Sequence, residues 1–134
     1  MKKRILTIFT LFLTYCLTSC SKYHKEEVIG EIASNDISKI TILALKTGDI
    51  TTITDTEEIT KILETVQSLP LFVKSNSVNT YSTELVQYTI HKTSGEELTV
   101  DVLNPWIAYN NVWYACDFNT CTQLSDLAYE YLLN

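Results

Sequence analysis

Four cysteines, two histidines and sixteen carboxylates make up the reactive inventory of this 134-residue chain. A thiol can take an acyl group, oxidise to a disulfide or ligate a metal. A histidine serves as a proton shuttle or metal ligand, and paired carboxylates as acid and base. Spacing decides among these. His24 and His91 stand alone, with no H-x-x-x-H, no neighbouring cysteine and no acidic cluster, so no metal site is predicted. Glu96 and Glu97 are adjacent, and adjacent strand residues point to opposite faces, so they do not converge. Asp101, across the same hairpin, is read with them as a solvated edge. The chain has three glycines, no phosphate-cradling loop and no G-x-S-x-G. No catalytic residue and no cofactor is implied, and the chain is not expected to be an enzyme.

The amino terminus carries the one specific chemical motif. Lys2-Lys3-Arg4 is followed by an apolar run over residues 5–17 and then by Leu17-Thr18-Ser19-Cys20. The run has the ~7–15 residues of an export signal and falls short of the ~20 that cross a bilayer as a helix. This arrangement resembles the lipobox of bacterial lipoproteins: an aliphatic residue, two small residues, then a cysteine. The resemblance implies a signal peptide over residues 1–19, cleavage before Cys20, and diacylation of that cysteine with palmitate-type chains. It further implies a lipid-anchored protein of the cell envelope, on the outer side of the cytoplasmic membrane or on an outer membrane. Ser21, where inner-membrane retention uses Asp, leaves passage to an outer membrane open. Each buried CH₂ adds ~0.8 kcal/mol of membrane affinity, so two or three chains anchor stably where one does not. Residues 20–36 follow as the lipidated cysteine and a tether whose first half is polar.

With Cys16 in the signal and Cys20 taking lipid, Cys116 and Cys121 are the remaining thiols. In an exported domain such a pair is expected to form a disulfide. Its short loop is worth only ~2 kcal/mol. The C-x₄-C spacing departs from the C-x₂-C of redox and zinc motifs. Lys46-Thr47-Gly48 resembles the KTG triad of penicillin-binding enzymes. However, S-D-N is absent and S-x-x-K occurs only at residues 19–22, across the cleavage site, so the triplet is read as a turn.

Charge narrows the partner class. Removing the three basic residues of the signal from the net charge of −6 leaves −9, with seven lysines and no arginine. Such a surface repels nucleic acid and anionic lipid head groups. The membrane is thus reached through the lipid, and nucleic acid is not a partner. Trp106, Tyr109, Trp113 and Tyr114 crowd one hairpin, a density found in binding hot spots. They are the candidate partner-binding residues.

Periodicity supplies the scaffold that must position these groups, a single domain over residues 37–134. Residues 37–45 alternate, with Ile40, Ile42 and Ala44 on one face and Thr41, Leu43 and Leu45 on the other. A turn at Lys46–Asp49 and a second strand at 50–54 complete a hairpin. Asp55 and Glu58 have capping-box spacing, and Ile59, Ile62, Leu63 and Val66 recur at helical intervals up to Leu69-Pro70. A short apolar run and a polar loop fill residues 71–80. Strands are predicted over 81–92, with Val86, Tyr88 and Ile90 inward, then over 98–102, 106–109 and 112–116. Asn110-Asn111 suits a tight hairpin. A final helix from about Thr120, capped by Thr120 and Gln123, buries Leu124, Leu127, Ala128 and Tyr131. The predicted fold is α+β, a mostly antiparallel sheet of about six strands in ββα-ββββ-α order, with two helices on one face. On alternation, Trp106 and Ala108 share one face of the aromatic hairpin, Ile107 and Tyr109 the other. The pattern points to a non-catalytic surface module binding a protein or envelope partner. A carrier for an apolar ligand between sheet and helices, or an envelope hydrolase, is the alternative.

Overall fold

Alternation along the first strand sets the frame of the sheet. The computed structural model describes residues 29–75, 78 and 84–134. Strand β1 (Ile37–Ala44) buries Ile40, Ile42 and Ala44 completely and leaves Thr41 and Leu43 half-covered. Its successors are β2 (Ile50–Ile53), α1 (Thr56–Ser68), β3 (Leu71–Ser75), β4 (Val86–Lys92), β5 (Glu97–Leu103), β6 (Trp106–Tyr109), β7 (Val112–Cys116) and α2 (Phe118–Leu133). All pairings are antiparallel, in the order β2-β1-β4-β5-β6-β7-β3. The α+β class and the strand–helix order match the expectation, with a seventh strand added. Leu71-Phe72-Val73 is too short to display alternation. Its strand character comes from pairing with β7, where Leu71 faces Cys116 and Ser75 faces Trp113.

Both helices lie on the same side of the sheet, and two phenols pin them. Ile42, Tyr88, Val100 and Tyr109 stand side by side across four strands, so their side chains share one face. The Tyr88 hydroxyl donates to the Leu124 carbonyl of α2 at 2.6 Å, and the Tyr109 hydroxyl donates to the Val66 carbonyl of α1 at 3.1 Å. Burial pushes both phenols well above their ordinary pKa, so both remain donors. Against this face α1 buries Ile59, Ile62, Leu63 and Val66, the stripe that the sequence predicts. α2 buries Leu124, Leu127 and Ala128 as expected, and Cys121 with them. Tyr131 is only half-buried: its hydroxyl donates to the Glu58 carboxylate and its ring lies 5.7 Å from Lys61 Nζ, which ties the two helices together.

The helix starts follow their caps. Asp55 accepts from the backbone N–H of Glu57 and Glu58, as its spacing predicts. α2 begins earlier than expected. Asp117, not Thr120, is its N-cap, accepting from both the backbone N–H and the hydroxyl of Thr120. These bonds hold the exposed Asp117 carboxyl below the ordinary range. Asp117 stands three residues ahead of Thr120 and is the stronger cap, so it captures the first turn. Of the strand predicted over 81–92, β4 occupies Val86–Lys92, and residues 81–83 lie outside the described residues. Packing also reaches back into the segment read as tether: Ile29 and Ile32 pack on the core, and Gln67 Nε2 donates to the Ile32 carbonyl. Asn110 and Asn111 take φ of 47° and 66°, the left-handed pair expected for the β6–β7 turn.

Candidate functional site

The face of the sheet turned away from the helices carries the residues of interest. Its rows follow from register. Leu43, Gln87, Asp101, Ala108 and Trp113 form one continuous line across β1, β4, β5, β6 and β7. Ile50, 66% exposed, extends the line onto the edge strand β2. One row to one side are Leu103, Trp106 and Ala115. On the other side run Thr52, Thr41, Thr89 and Thr99, and beyond them His91 and Glu97. The face is thus apolar and aromatic at one end and hydroxylated at the other.

The aromatic hairpin splits between the two faces. Tyr109 and Tyr114 are 3% and 9% exposed and belong to the core, their rings 6.4 Å apart. Trp106 and Trp113 are half-buried on the helix-free side. Of the four candidate partner-binding residues, the structure brings Trp106 and Trp113 together on this surface and places Tyr109 and Tyr114 behind it. Trp113 stands directly across from Ala108, and Trp106 precedes Ala108 by two positions on the same strand, so the indoles are diagonal neighbours. Diagonal neighbours on a sheet are ~7–8 Å apart, within reach of aromatic side chains.

Asp101 is the residue that pattern reading missed. It is 7% exposed, the only buried charged residue among those described. Its carboxyl accepts a 2.7 Å hydrogen bond from Gln87 Nε2. Burial raises its pKa, and the Gln87 bond offsets this in part. Asp101 is also diagonal to Trp106, and Ala108, which has no exposed surface, stands between Asp101 and Trp113 in their common row. Its alternation signature is that of any outward strand residue.

Other candidates for chemistry resolve into structure. His91 bridges Glu97, at 2.8 Å from Nδ1, and the Thr41 hydroxyl, at 3.2 Å from Nε2. Glu96 pairs with Lys92 at 2.8 Å, so Glu96 and Glu97 point to different partners. Lys46-Thr47-Gly48 is a hairpin turn, with Gly48 at φ 74° and its N–H bonded to Ala44. Among the described residues, no three His, Cys, Asp or Glu side chains gather as a metal would require. Cys116 and Cys121 sit at the β7–α2 junction as two buried thiols rather than as the expected disulfide. A hydrogen bond between them holds the Cys116 thiol below the usual range and pushes Cys121 above it. Cys121 Sγ also lies 3.7 Å from the Trp106 carbonyl.

A groove of about 270 Å³ opens at one end of the sheet, lined by Lys46, Glu84, Asn104, Ser125 and Tyr129 among others. Asn104 Nδ2 donates to Thr122 Oγ1, which itself donates to the Phe118 carbonyl, and Asn104 Oδ1 is buried without a partner. The groove mixes polar and apolar lining, with Leu103 and Thr122 completing it. Cys20, His24 and the rest of residues 1–28 lie outside the described residues. Among those described, no helix is long and apolar enough to cross a membrane. Comparison with protein-family models, with curated proteins and with solved structures gives no match.

Proposed function

We propose that this chain is a lipid-anchored envelope protein whose domain is a non-catalytic binding module, and that it engages a protein partner through the helix-free face of its sheet. The observation that carries this reading is the placement of Trp106 and Trp113. Here the helices cover the tyrosines, and both tryptophans lie partly exposed on the helix-free side, with Leu43, Leu103 and the exposed Ile50 on the same face. Rigid aromatic anchors within an apolar surface rimmed by hydroxyls have the anatomy of a protein interface. Anchoring is supported by the lipobox-like run ending at Cys20, and the −9 charge favours a partner of opposite sign.

Photocrosslinking in intact cells tests the face. A benzophenone side chain at position 113 is expected to give specific adducts, and the same group at Glu64, exposed on α1, is not. Equal adducts from both positions, or none from 113, would remove the face as the docking surface. Location is tested separately: Cys20→Ala is expected to lose palmitate label and be released from the membrane.

A further inference from the structure

We propose that the edge strand β2 takes up an extended, basic segment of a protein partner as an added strand of the sheet. This rests on the chain being a protein-binding module and not on Trp106 and Trp113. The β1–β2 hairpin sets which backbone groups face outward. The Ala44 N–H donates to the Asp49 carbonyl at 3.0 Å, so these residues form a hydrogen-bonded pair. In an antiparallel ladder such pairs alternate with non-bonded ones. The register Ile42↔Thr51 and Ile40↔Ile53 then turns the N–H and C=O of Thr51 and Ile53 toward β1, and those of Ile50 and Thr52 away from it. β2 ends the strand order, and among the described residues no turn or loop bonds to these outward groups. The chain leaves the edge uncovered: Ile50 is 66% exposed, and Thr52 is exposed with it.

The two edges of the sheet differ. Exposed edges are commonly blunted by a lysine, a proline or a bulge that discourages pairing. β3, at the far edge, has Lys74 and a register shift between Leu71 and Lys74. β2 has none of these. It reads Ile-Thr-Thr-Ile, all β-branched, in unbroken register with β1. An incoming strand therefore meets a regular row, with an N–H and a C=O at each of Ile50 and Thr52, and main-chain bonds of this kind supply the affinity of strand addition. Every second side chain of that strand falls beside Ile50, on the face that runs on through Leu43. Charge selects the occupant. Residues 46–58 set Asp49, Asp55, Glu57 and Glu58 against Lys46 alone, and residues 20–134 carry a net −9. Asp49 and Asp55 bracket the strand, and both are exposed. A second copy would bring like charge to like, whereas a segment with a lysine at each end meets both acids in either direction.

Amide exchange followed by NMR reads the edge residue by residue. In the processed full chain in detergent, the amides of Thr51 and Ile53 are expected to be protected and those of Ile50 and Thr52 to exchange freely. The probe is the peptide Lys-Thr-Val-Thr-Val-Thr-Lys, whose lysines are spaced as Asp49 and Asp55 are. Its controls are the same peptide N-methylated at its central residues and one ending in glutamates. The lysine peptide is expected to slow exchange at Ile50 and Thr52 saturably, with both controls at least tenfold weaker. Thr52→Pro removes an outward N–H and leaves the β1 ladder its bonds, so it is expected to melt close to the parent and bind the peptide at least tenfold more weakly. Thr52→Ala keeps that N–H and is expected to bind as the parent does. Equal binding of the N-methylated peptide, or unchanged affinity in Thr52→Pro, overturns strand addition. Equal binding of the glutamate peptide overturns the basic partner. Protection of Ile50 and Thr52 without peptide puts the chain itself on the edge, or a second copy where it rises with protein concentration, and overturns the proposal either way. Adducts from position 113 that persist alongside a failed edge leave the docking face standing. Loss of those adducts with peptide protection intact removes the face and leaves the edge.

Discussion

Tyr109 and Trp113 are four residues apart in one hairpin, and the two faces of the sheet give them opposite tasks. Tyr109→Phe keeps the ring in the core and removes only the hydroxyl that donates to the Val66 carbonyl at 3.1 Å. That carbonyl retains a long 3.4 Å bond from the Leu69 N–H, so it is weakened rather than orphaned. The loss is then that of one net buried hydrogen bond, about 1 kcal/mol. For a domain of this size, such a loss lowers Tm by roughly 4–8 °C. Tyr88→Phe, which frees α2 from its 2.6 Å bond at Leu124, is expected to cost a similar amount. Val100 separates the two rings and each holds a different helix, so the double variant is expected to be additive to within ~0.5 kcal/mol. Urea unfolding of the four proteins measures this. Neither Tyr→Phe change is expected to alter adducts formed from position 113. Trp113→Ala is expected to abolish binding on that face with the cooperative transition retained. An unchanged Tm in Tyr109→Phe, or a loss of adducts with it, would refute the assignment of this ring to the core alone.

Asp101→Asn is expected to raise Tm at neutral pH. The native carboxyl holds its proton more tightly than the unfolded chain does, so stability falls as pH rises from the ordinary carboxylate range through the raised native value. The variant flattens that fall, which melts across pH 4–8 read directly; a steeper fall would contradict the burial argument. Asp55→Ala removes the cap that accepts from Glu57 and Glu58 and is expected to cost about 1 kcal/mol by chemical denaturation. Oxidising Cys116 and Cys121 is expected to close a disulfide, seen as the loss of two hydrogens in the intact mass, and to add ~2 kcal/mol or less. Two thiols that still react after oxidation and denaturation would show that the pair does not close.

What the sequence made legible was local. β1 and the four-strand meander follow from alternation, α1 from its i, i+3, i+4, i+7 stripe, and the β6–β7 turn from Asn110-Asn111. The splitting of the aromatic hairpin into two faces was likewise readable, because period-2 geometry fixes it once a strand is granted. Which face the helices would take was not, since it depends on where α1 and α2 return in space. β3 was missed for the same reason: five residues with a register shift between Leu71 and Lys74 gain their pairing from a partner some forty positions along the chain. The start of α2 was a contest between two overlapping caps, Asp117 and Thr120, which spacing alone does not rank.

Asp101 shows how strand order turns an ordinary residue into an informative one. In Leu98-Thr99-Val100-Asp101-Val102 it occupies an outward position, where a carboxylate on an edge strand would be solvated and would contribute solubility. The order β2-β1-β4-β5-β6-β7-β3 instead puts β5 at the centre of the sheet, with three strands to either side. Gln87 and Ala108 then flank the carboxyl laterally, and Trp106 stands on the diagonal. A threonine there would extend the hydroxyl face at no electrostatic cost, and a valine would extend the apolar one. The acid is thus the locally disfavoured choice at a position where neutral residues fit. Its return is the 2.7 Å bond it accepts from Gln87 Nε2, which ties β4 to β5 on this face. The same strand order sets Trp106 diagonal to that acid and Trp113 one strand further, beyond Ala108.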